Sequence, residues 1–257
     1  MAHNALLAGI AAVFGAVIGS FLNVCIVRWP AEQSVVSPRS RCPSCGYQLA
    51  WFDIIPILSW LVLRGRCRGC QAAIGRLYPL VELATAAIFA FMAWRHGLSL
   101  EAAQGAFFLT VLLGIAMTDA RKYLIPDEFT LGGLVVGLGL AAAGGAGALV
   151  AALIGGAVGF GLLWLVGWLG TLAFKEEAMG GGDIKMMAMV GAFVGWQGVL
   201  LTIFLGALSG TLIFLPMALR GKKKLVPFGV FLAIGAMLSY LVGPALIEWY
   251  RGFVGAA

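Results

Sequence analysis

Charged side chains are scarce in this chain: Asp, Glu, Lys and Arg make up only 11% of its 257 residues, while 61% are hydrophobic. A soluble fold of this size has no use for so much apolar surface, so the composition excludes an ordinary soluble domain and predicts a polytopic membrane protein. The apolar runs reach the roughly 20 residues that a helix needs to cross a bilayer. The apolar–polar alternation of a β-barrel is absent, so the spans are predicted to be helices.

The N-terminus lacks the basic region of a cleaved secretory signal. No Lys or Arg precedes Ala5, and the apolar run from Ala5 to Val27 is longer than the apolar core of a signal peptide. We therefore expect this run to be the first membrane span. The predicted fold is an all-α polytopic membrane protein with about eight transmembrane helices, over residues 5–27, 78–95, 102–118, 129–146, 149–173, 184–196, 199–219 and 226–247.

The basic residues are unevenly divided between the two sets of connecting segments. Of the 17 Lys and Arg residues, only Arg95 and Arg251 fall on one side of the predicted spans, and the rest fall on the other. The positive-inside rule makes the richer side cytoplasmic and both termini external. Because the charges lie between apolar runs, the net charge of +6 reflects topology, and we expect no nucleic-acid partner.

One polar segment, residues 29–77, interrupts the apolar pattern and contains four of the five cysteines. They form two Cys-x-x-Cys pairs, Cys42 with Cys45 and Cys67 with Cys70. Two such pairs with 21 residues between them are typical of a tetrahedral four-cysteine zinc site, because each short loop presents two sulfurs to one metal. A disulfide or redox pair is the competing interpretation, but a cytoplasmic segment is kept reduced.

A site closed by four thiolates predicts a structural role for zinc, which would fold an insert too small to build its own core. The expected domain organisation has three parts. A first transmembrane helix covers residues 1–28, a zinc-ribbon-like cytoplasmic insert covers residues 29–77, and a transmembrane domain covers residues 78–257.

Two aspartates, Asp119 and Asp183, lie at the ends of apolar spans, where an ionised carboxylate is costly and usually functional. Asp183 follows three glycines, which permit sharp turns and close approach of an extended substrate strand. Both are predicted on the cytoplasmic side, so they can meet. Two apposed carboxylates can share a proton, one taking a proton from water while the other protonates a carbonyl oxygen.

Simpler roles exist for the acidic residues. Asp119 could pair with the basic residues that follow it, and Asp183 could cap a helix. For Asp127 the helix cap is favoured, because Asp near a helix N-terminus satisfies unpaired N–H groups. Lys185 is either a topology charge or a partner of Asp183, and Glu82 is either an interfacial residue or part of a second polar site.

These motifs, in this order, resemble the bacterial type IV prepilin peptidases, also called prepilin leader peptidase/N-methyltransferases. The resemblance runs over nearly the whole chain and is carried by Gly19-Ser-Phe-Leu-Asn-Val24, the two cysteine pairs, Ile55-Pro-Ile-Leu-Ser-Trp60, Tyr78-Pro-Leu-Val-Glu82, Asp119-x6-Pro126-Asp127, Gly180-Gly-Gly-Asp-Ile-Lys185 and Pro227-Phe-Gly229. Thr118 departs from the family, in which Ile is common at that place.

The resemblance implies an aspartic endopeptidase that removes the basic leader from type IV prepilins or type II secretion pseudopilins at the cytoplasmic membrane boundary. It places the catalytic aspartates at Asp119 and Asp183. It also implies N-methylation of the new N-terminal residue from S-adenosylmethionine, although no Gly-rich nucleotide fingerprint marks a site for this donor. The implied location is the bacterial inner membrane, with the active site on the cytoplasmic side.

Two other function classes remain open from the residues alone. A proton-coupled transporter could use the carboxylates as a relay, but its acids are expected near the bilayer midplane, in broken helices of a repeat. A zinc-stabilised membrane scaffold without chemistry leaves the three glycines before Asp183 unexplained.

Overall fold

A computed structural model describes residues 2–176, 178–219 and 227–255, and this part of the chain is almost entirely helical. The prediction of an all-α membrane protein is confirmed, in keeping with the need of a backbone in lipid to satisfy its own hydrogen bonds. The α-helices of these residues are α1 (Ala2–Arg28), α2 (Leu58–Val62), α3 (Leu77–His96), α4 (Leu100–Lys122), α5 (Asp127–Ala143), α6 (Ala146–Phe174), α7 (Gly181–Leu219) and α8 (Phe228–Gly255).

Six helices of the described residues are long and apolar enough to cross a bilayer, judged by length and composition. They are α1, α3, α4, α6, α7 and α8. The predicted span over residues 129–146 corresponds to α5, which has only 17 residues. The predicted spans over residues 184–196 and 199–219 both lie in α7, so the expected eight segments are accounted for.

The separation of those two spans occurs at Gly195, whose backbone leaves the helical region with φ 69° and ψ 175°. A Cβ atom built on Gly159 would lie within 4 Å of both the Met187 carbonyl oxygen and the Val199 side chain. In a straight helix those two residues would be about 18 Å apart along the axis. The chain therefore bends sharply at Gly195, and the predicted division of this region is confirmed.

The chain forms two compact units, Met1–Thr110 and Val111–Ala257. In the first, α1 packs closely against α3. Side chains on Gly15 or Gly19 would collide with α3, at Phe89 and at the Glu82 backbone respectively. The Asn23 amide donates a hydrogen bond to the Tyr78 carbonyl at 3.0 Å. Small residues four positions apart, such as Gly15 and Gly19, permit this close approach.

In the second unit, α7 packs against α5, α6 and α8. A Cβ on Gly155 or Gly159 would collide with backbone carbonyls of α7, and a Cβ on Gly191 would collide with the backbone of α6. The Ser239 hydroxyl of α8 donates a hydrogen bond to the Gly198 carbonyl at 2.9 Å. These contacts bring the first turn of α7, which carries Asp183, into a defined position.

Four of the basic residues that were predicted to be cytoplasmic, Arg220, Lys222, Lys223 and Lys224, lie outside the described residues.

Candidate functional sites: a four-cysteine cluster and an aspartate pair

The four cysteines of the insert converge on one point. Their sulfur atoms all lie within 4.8 Å of one another, and the Sγ atoms of Cys42 and Cys70 are 3.8 Å apart. Tetrahedral zinc with Zn–S bonds of about 2.3 Å requires sulfurs about 3.8 Å apart. The donor set and its spacing therefore fit a zinc ion.

Two matching turns build the cluster. In the first, the Cys42 N–H donates to the Tyr47 carbonyl and the Gly46 N–H donates to the Cys42 carbonyl. In the second, the Cys67 N–H donates to the Ala72 carbonyl and the Gln71 N–H donates to the Cys67 carbonyl. The residue after each second cysteine has a left-handed backbone, with φ 72° at Gly46 and 61° at Gln71. The loops are thus preshaped to present their sulfurs together.

The electrostatics of the cluster favour a bound cation. Backbone N–H groups of Ser44 and Cys45 lower the pKa of the Cys42 thiol to about 6. The Tyr47 N–H lowers the pKa of Cys45, but the neighbouring Cys70, Cys42 and Cys67 thiols and burial outweigh it and raise that pKa to about 12. Several thiolates cannot share this space without positive charge, which a divalent metal would supply.

The insert is further tied together by Asp53. Its carboxylate accepts hydrogen bonds from the Arg68 guanidinium at 2.8 Å and from the Ala50 N–H at 3.2 Å. Burial raises the pKa of this carboxyl, but the Arg68 and Ala50 hydrogen bonds outweigh it, so the pKa lies below its usual value. The Asp53 side chain is only 1% exposed, and it carries its charge inside the insert.

We expect the wild-type protein to contain about one zinc ion per chain, because four thiolates complete the coordination of one ion. The Cys67→Ser variant should purify with much less zinc. Removal of one of four ligands leaves an incomplete site, so the insert would lose the metal that the sequence predicts to fold it. Atomic absorption of the purified protein measures the zinc content. Cys25→Ala is the control, because Cys25 lies in α1, outside the cluster. Equal zinc in Cys67→Ser and wild type would contradict the metal site.

In the second unit, the structure brings Asp119 and Asp183 together. They stand at the end of α4 and the start of α7, and the negative charge of Asp119 acts on the Asp183 carboxyl. Asp119 is buried, with 6% of its surface exposed. Neither carboxylate forms an ion pair among the described residues, so the alternative pairing of Asp119 with its basic neighbours finds no support.

The start of α8 holds the Asp119 carboxylate. The Val230 N–H donates a hydrogen bond to Asp119 Oδ2 at 3.0 Å, and the Gly229 N–H also contributes. Free N–H groups and the helix dipole at a helix N-terminus stabilise negative charge. These two N–H groups therefore stabilise the charged form of the Asp119 side chain.

Asp183 has a different environment. Its Oδ1 atom is buried and finds no hydrogen-bond partner among the described residues. The preceding Gly180 and Gly181 are exposed, while a Cβ on Gly182 would lie 2.9 Å from the Ile125 side chain. The glycines thus leave accessible backbone beside Asp183 on one side and permit close packing against Ile125 on the other.

The prediction that Asp127 caps a helix was wrong. Pro126 is the N-cap of α5, without a side-chain cap, and both Asp127 oxygens accept from the Lys185 ammonium group, at 2.8 and 2.7 Å. This pair joins the starts of α5 and α7. The sequence separates the two residues by 58 positions, so the pairing could not be read from local pattern.

Two further polar residues have defined partners. The Thr118 hydroxyl donates to the Gly114 and Ile115 carbonyls of its own helix, so its departure from the family pattern adds no polar group to the site. Glu82 is buried, and its Oε2 atom accepts the Ile57 N–H at 2.7 Å. It therefore belongs to a polar site of the first unit rather than to an exposed interface.

Gly229 had no predicted role of its own and belongs to the Pro227-Phe-Gly229 motif. A Cβ at Gly229 would lie 2.9 Å from Asp119 Oδ2 and 2.7 Å from the Ile125 side chain. The N-terminus of α8 approaches the carboxylate closely only because this residue lacks a side chain. Its proximity to Asp119 depends on helix packing, which no local signal reveals.

Asp119 is catalytic in the reaction that the family resemblance implies, so we expect Gly229→Ala to reduce peptide cleavage strongly, because the added methyl group displaces the Asp119 carboxylate or the start of α8. A displacement of about 1 Å in catalytic geometry can cost about 100-fold in rate. The rate of substrate cleavage measures this effect. Gly252→Ala in the same helix is the control, since a Cβ there meets nothing within 4 Å. Full activity of Gly229→Ala would show that this approach is not needed.

Two family profiles match this chain. The profile of the Bacterial Peptidase A24 N-terminal domain matches residues 13–96, and that of the Type IV leader peptidase family matches residues 106–215. No solved structure matches the chain.

Similar curated proteins are named prepilin leader peptidase/N-methyltransferase. The one from Stutzerimonas stutzeri is 37% identical over 270 residues, covering 95% of this chain and 93% of that protein. The one from Pseudomonas aeruginosa is 36% identical over 269 residues, with the same coverage. The one from Myxococcus xanthus is 41% identical over 207 residues, covering 80% of this chain and 62% of that protein. The chain belongs to the family of bacterial prepilin leader peptidase/N-methyltransferases.

Proposed function

We propose that this chain removes the leader peptide from type IV prepilins or pseudopilins, using Asp119 and Asp183, and then N-methylates the new terminal residue. The observation that carries the peptidase half is that Asp119 of α4 and Asp183 of α7 lie close enough for the charge of one to act on the other, beside exposed glycine backbone. The methylation half rests on the family to which the chain belongs.

The two carboxylates have different surroundings, which supports different roles. Asp119, held by the Val230 N–H, acts as the charged base that takes a proton from the attacking water. Asp183, whose buried Oδ1 finds no partner in the described part of the chain, carries the proton that passes to the carbonyl oxygen of the scissile bond. After attack, the roles reverse, and a proton is returned to the leaving amine.

A prepilin consists of a basic leader followed by an apolar helix. Because that helix lies in the membrane, an enzyme that cleaves beside it is expected to be a membrane protein. The helix lies in lipid, and the leader remains in the cytosol. The positive-inside rule supports an active site on the cytoplasmic side of the inner membrane, with both termini outside. The exposed backbone at Gly180 and Gly181 suits a substrate that must be extended at the scissile bond.

The proposed function involves two cofactors, a structural zinc ion and a methyl donor. Zinc would be held by Cys42, Cys45, Cys67 and Cys70 and would fold the insert without taking part in cleavage. S-adenosylmethionine, when bound, supplies a methyl group to the lone pair of the new terminal amine, leaving a thioether and releasing a proton. The protein must bind this donor and exclude water from it.

Mass spectrometry of a purified prepilin, incubated with this protein in detergent with and without S-adenosylmethionine, tests the proposal. We expect loss of the leader in both samples and a gain of one methyl group only with the donor. Cleavage without methylation would retain the peptidase and overturn the methyltransferase half. Intact prepilins after incubation with zinc-loaded, monodisperse protein would overturn the whole proposal and favour a transporter or a scaffold.

A further inference from the structure

A cavity of about 350 Å³ lies within the first unit, between the cytoplasmic ends predicted for α1 and α3 and the cysteine insert. Small-molecule sites have volumes of about 300–1,000 Å³. The cavity is therefore large enough for a ligand of nucleoside size. It is lined by polar or aromatic side chains of all three segments, among them Ser20, Asn23, Asp53, Trp60, Tyr78 and Glu82.

Glu82 is the unusual member of this lining. It is 8% exposed and lies within a predicted span, where burial of a carboxylate is costly without a cationic partner. The Ile57 N–H donates to it at 2.7 Å, and the Ser20 side chain lies near enough to stabilise its charged form. None of the ion pairs formed by the described residues includes Glu82. A cationic ligand would supply the missing opposite charge.

The other side chains that line the cavity indicate which further chemical groups a ligand would have. Arg28, Arg41 and Arg68 also line the cavity. The Arg28 guanidinium donates to the Ser34 and Pro38 carbonyls and the Arg68 guanidinium pairs with Asp53, so Arg41 is the one placed to bind a ligand carboxylate. The Trp60 indole N–H donates to the Ile74 carbonyl at 3.3 Å, which holds this ring in place. A ligand that combines a cationic centre, a carboxylate and a flat ring matches the three kinds of side chain.

We propose that this cavity binds S-adenosylmethionine, with Glu82 facing its cationic sulfonium or ammonium group. The inference rests on the methyltransferase half of the proposed function and adds the location of the donor. The sulfonium, the amino-acid carboxylate and the adenine ring of this molecule supply the three features that the lining selects. The cavity adjoins Cys42 and Cys67, so the metal site shapes one wall.

Equilibrium dialysis of radiolabelled S-adenosylmethionine against the purified, zinc-loaded protein tests the proposal. We expect Glu82→Gln, which keeps the shape but removes the charge, to weaken binding about 10- to 100-fold. Glu101→Gln is the matched control, because Glu101 is an exposed glutamate of the same unit that does not line the cavity. Zinc content and elution volume report folding.

A second variant keeps the test decisive if Glu82→Gln does not fold. Ser59 lines the cavity from α2, and Ser59→Phe should reduce binding by filling the space. Ultraviolet cross-linking of the labelled donor should mark peptides within residues 20–82.

The outcomes separate this proposal from the proposed function. Wild-type binding that both variants retain, with the label on peptides outside that range, would overturn the cavity assignment while leaving methylation intact. Absence of both binding and methylation in the wild type would overturn the cavity assignment together with the methyltransferase half of the proposed function.

Discussion

Asp183→Asn and Asp119→Asn are each expected to abolish leader cleavage while the protein remains folded and inserted. An amide can neither accept the proton of the attacking water nor donate one as a carboxylic acid does. Loss of one acid–base group typically lowers the rate by about 100- to 10,000-fold. The fraction of prepilin cleaved over time, followed by mass spectrometry, gives the rate.

Asp127→Asn is the matched control for these variants. Asp127 is also an aspartate at a helix start of the second unit, but its carboxylate pairs with Lys185 and is half exposed. An exposed ion pair contributes only about 0–1 kcal/mol, so this variant should cleave at nearly the wild-type rate. Substantial cleavage by Asp119→Asn or Asp183→Asn would exclude the two-aspartate mechanism.

Gly159→Val should disrupt the second unit and eliminate cleavage without touching either aspartate. A side chain at Gly159 collides with the Met187 backbone carbonyl, four residues after Asp183 on α7. Overpacking of a close contact costs about 1–3 kcal/mol, and more where backbone must move. The forced separation of α6 and α7 shifts Asp183 away from Asp119. Thermal unfolding, followed by loss of monodisperse protein, measures the stability.

Gly161→Val provides the control within the same helix. A Cβ at Gly161 meets nothing within 4 Å, so a larger side chain there extends into open space. We expect wild-type stability and cleavage from this variant. A Gly159→Val protein as stable and active as Gly161→Val would mean that the close contact of α6 and α7 is not required.

Several features of this protein can be predicted from the sequence because they depend on residues that are near one another along the chain. Each cysteine pair occupies one short turn, so the spacing of Cys42, Cys45, Cys67 and Cys70 predicts a shared metal, and the structure brings the sulfurs together. The helices follow from apolar length alone. The division of α7 at Gly195 was also expected, because two apolar runs flank this residue.

The carboxylates stand out for a different reason. In a chain with so few charges, Asp119 and Asp183 are conspicuous at span ends, and the glycines before Asp183 indicate a special backbone. Their chemical identity is thus visible in the sequence, while their catalytic role stays a prediction until the variants are measured. Asp127 shows the limit of such reasoning, because its position near a helix start predicted a cap and its carboxylate instead pairs with Lys185.

Amino-acid sequence by itself determined the helical membrane architecture, the four-cysteine cluster and the identity of the two prominent aspartates. Tertiary structure alone decided that Val230 donates to Asp119 across 111 positions, that Gly229 must lack a side chain, and that Glu82 lines a cavity with the insert. The physical reason is the distance along the chain over which each interaction acts. Hydropathy and turn geometry act between near neighbours, whereas these contacts exist only after glycine-lined helices have packed together.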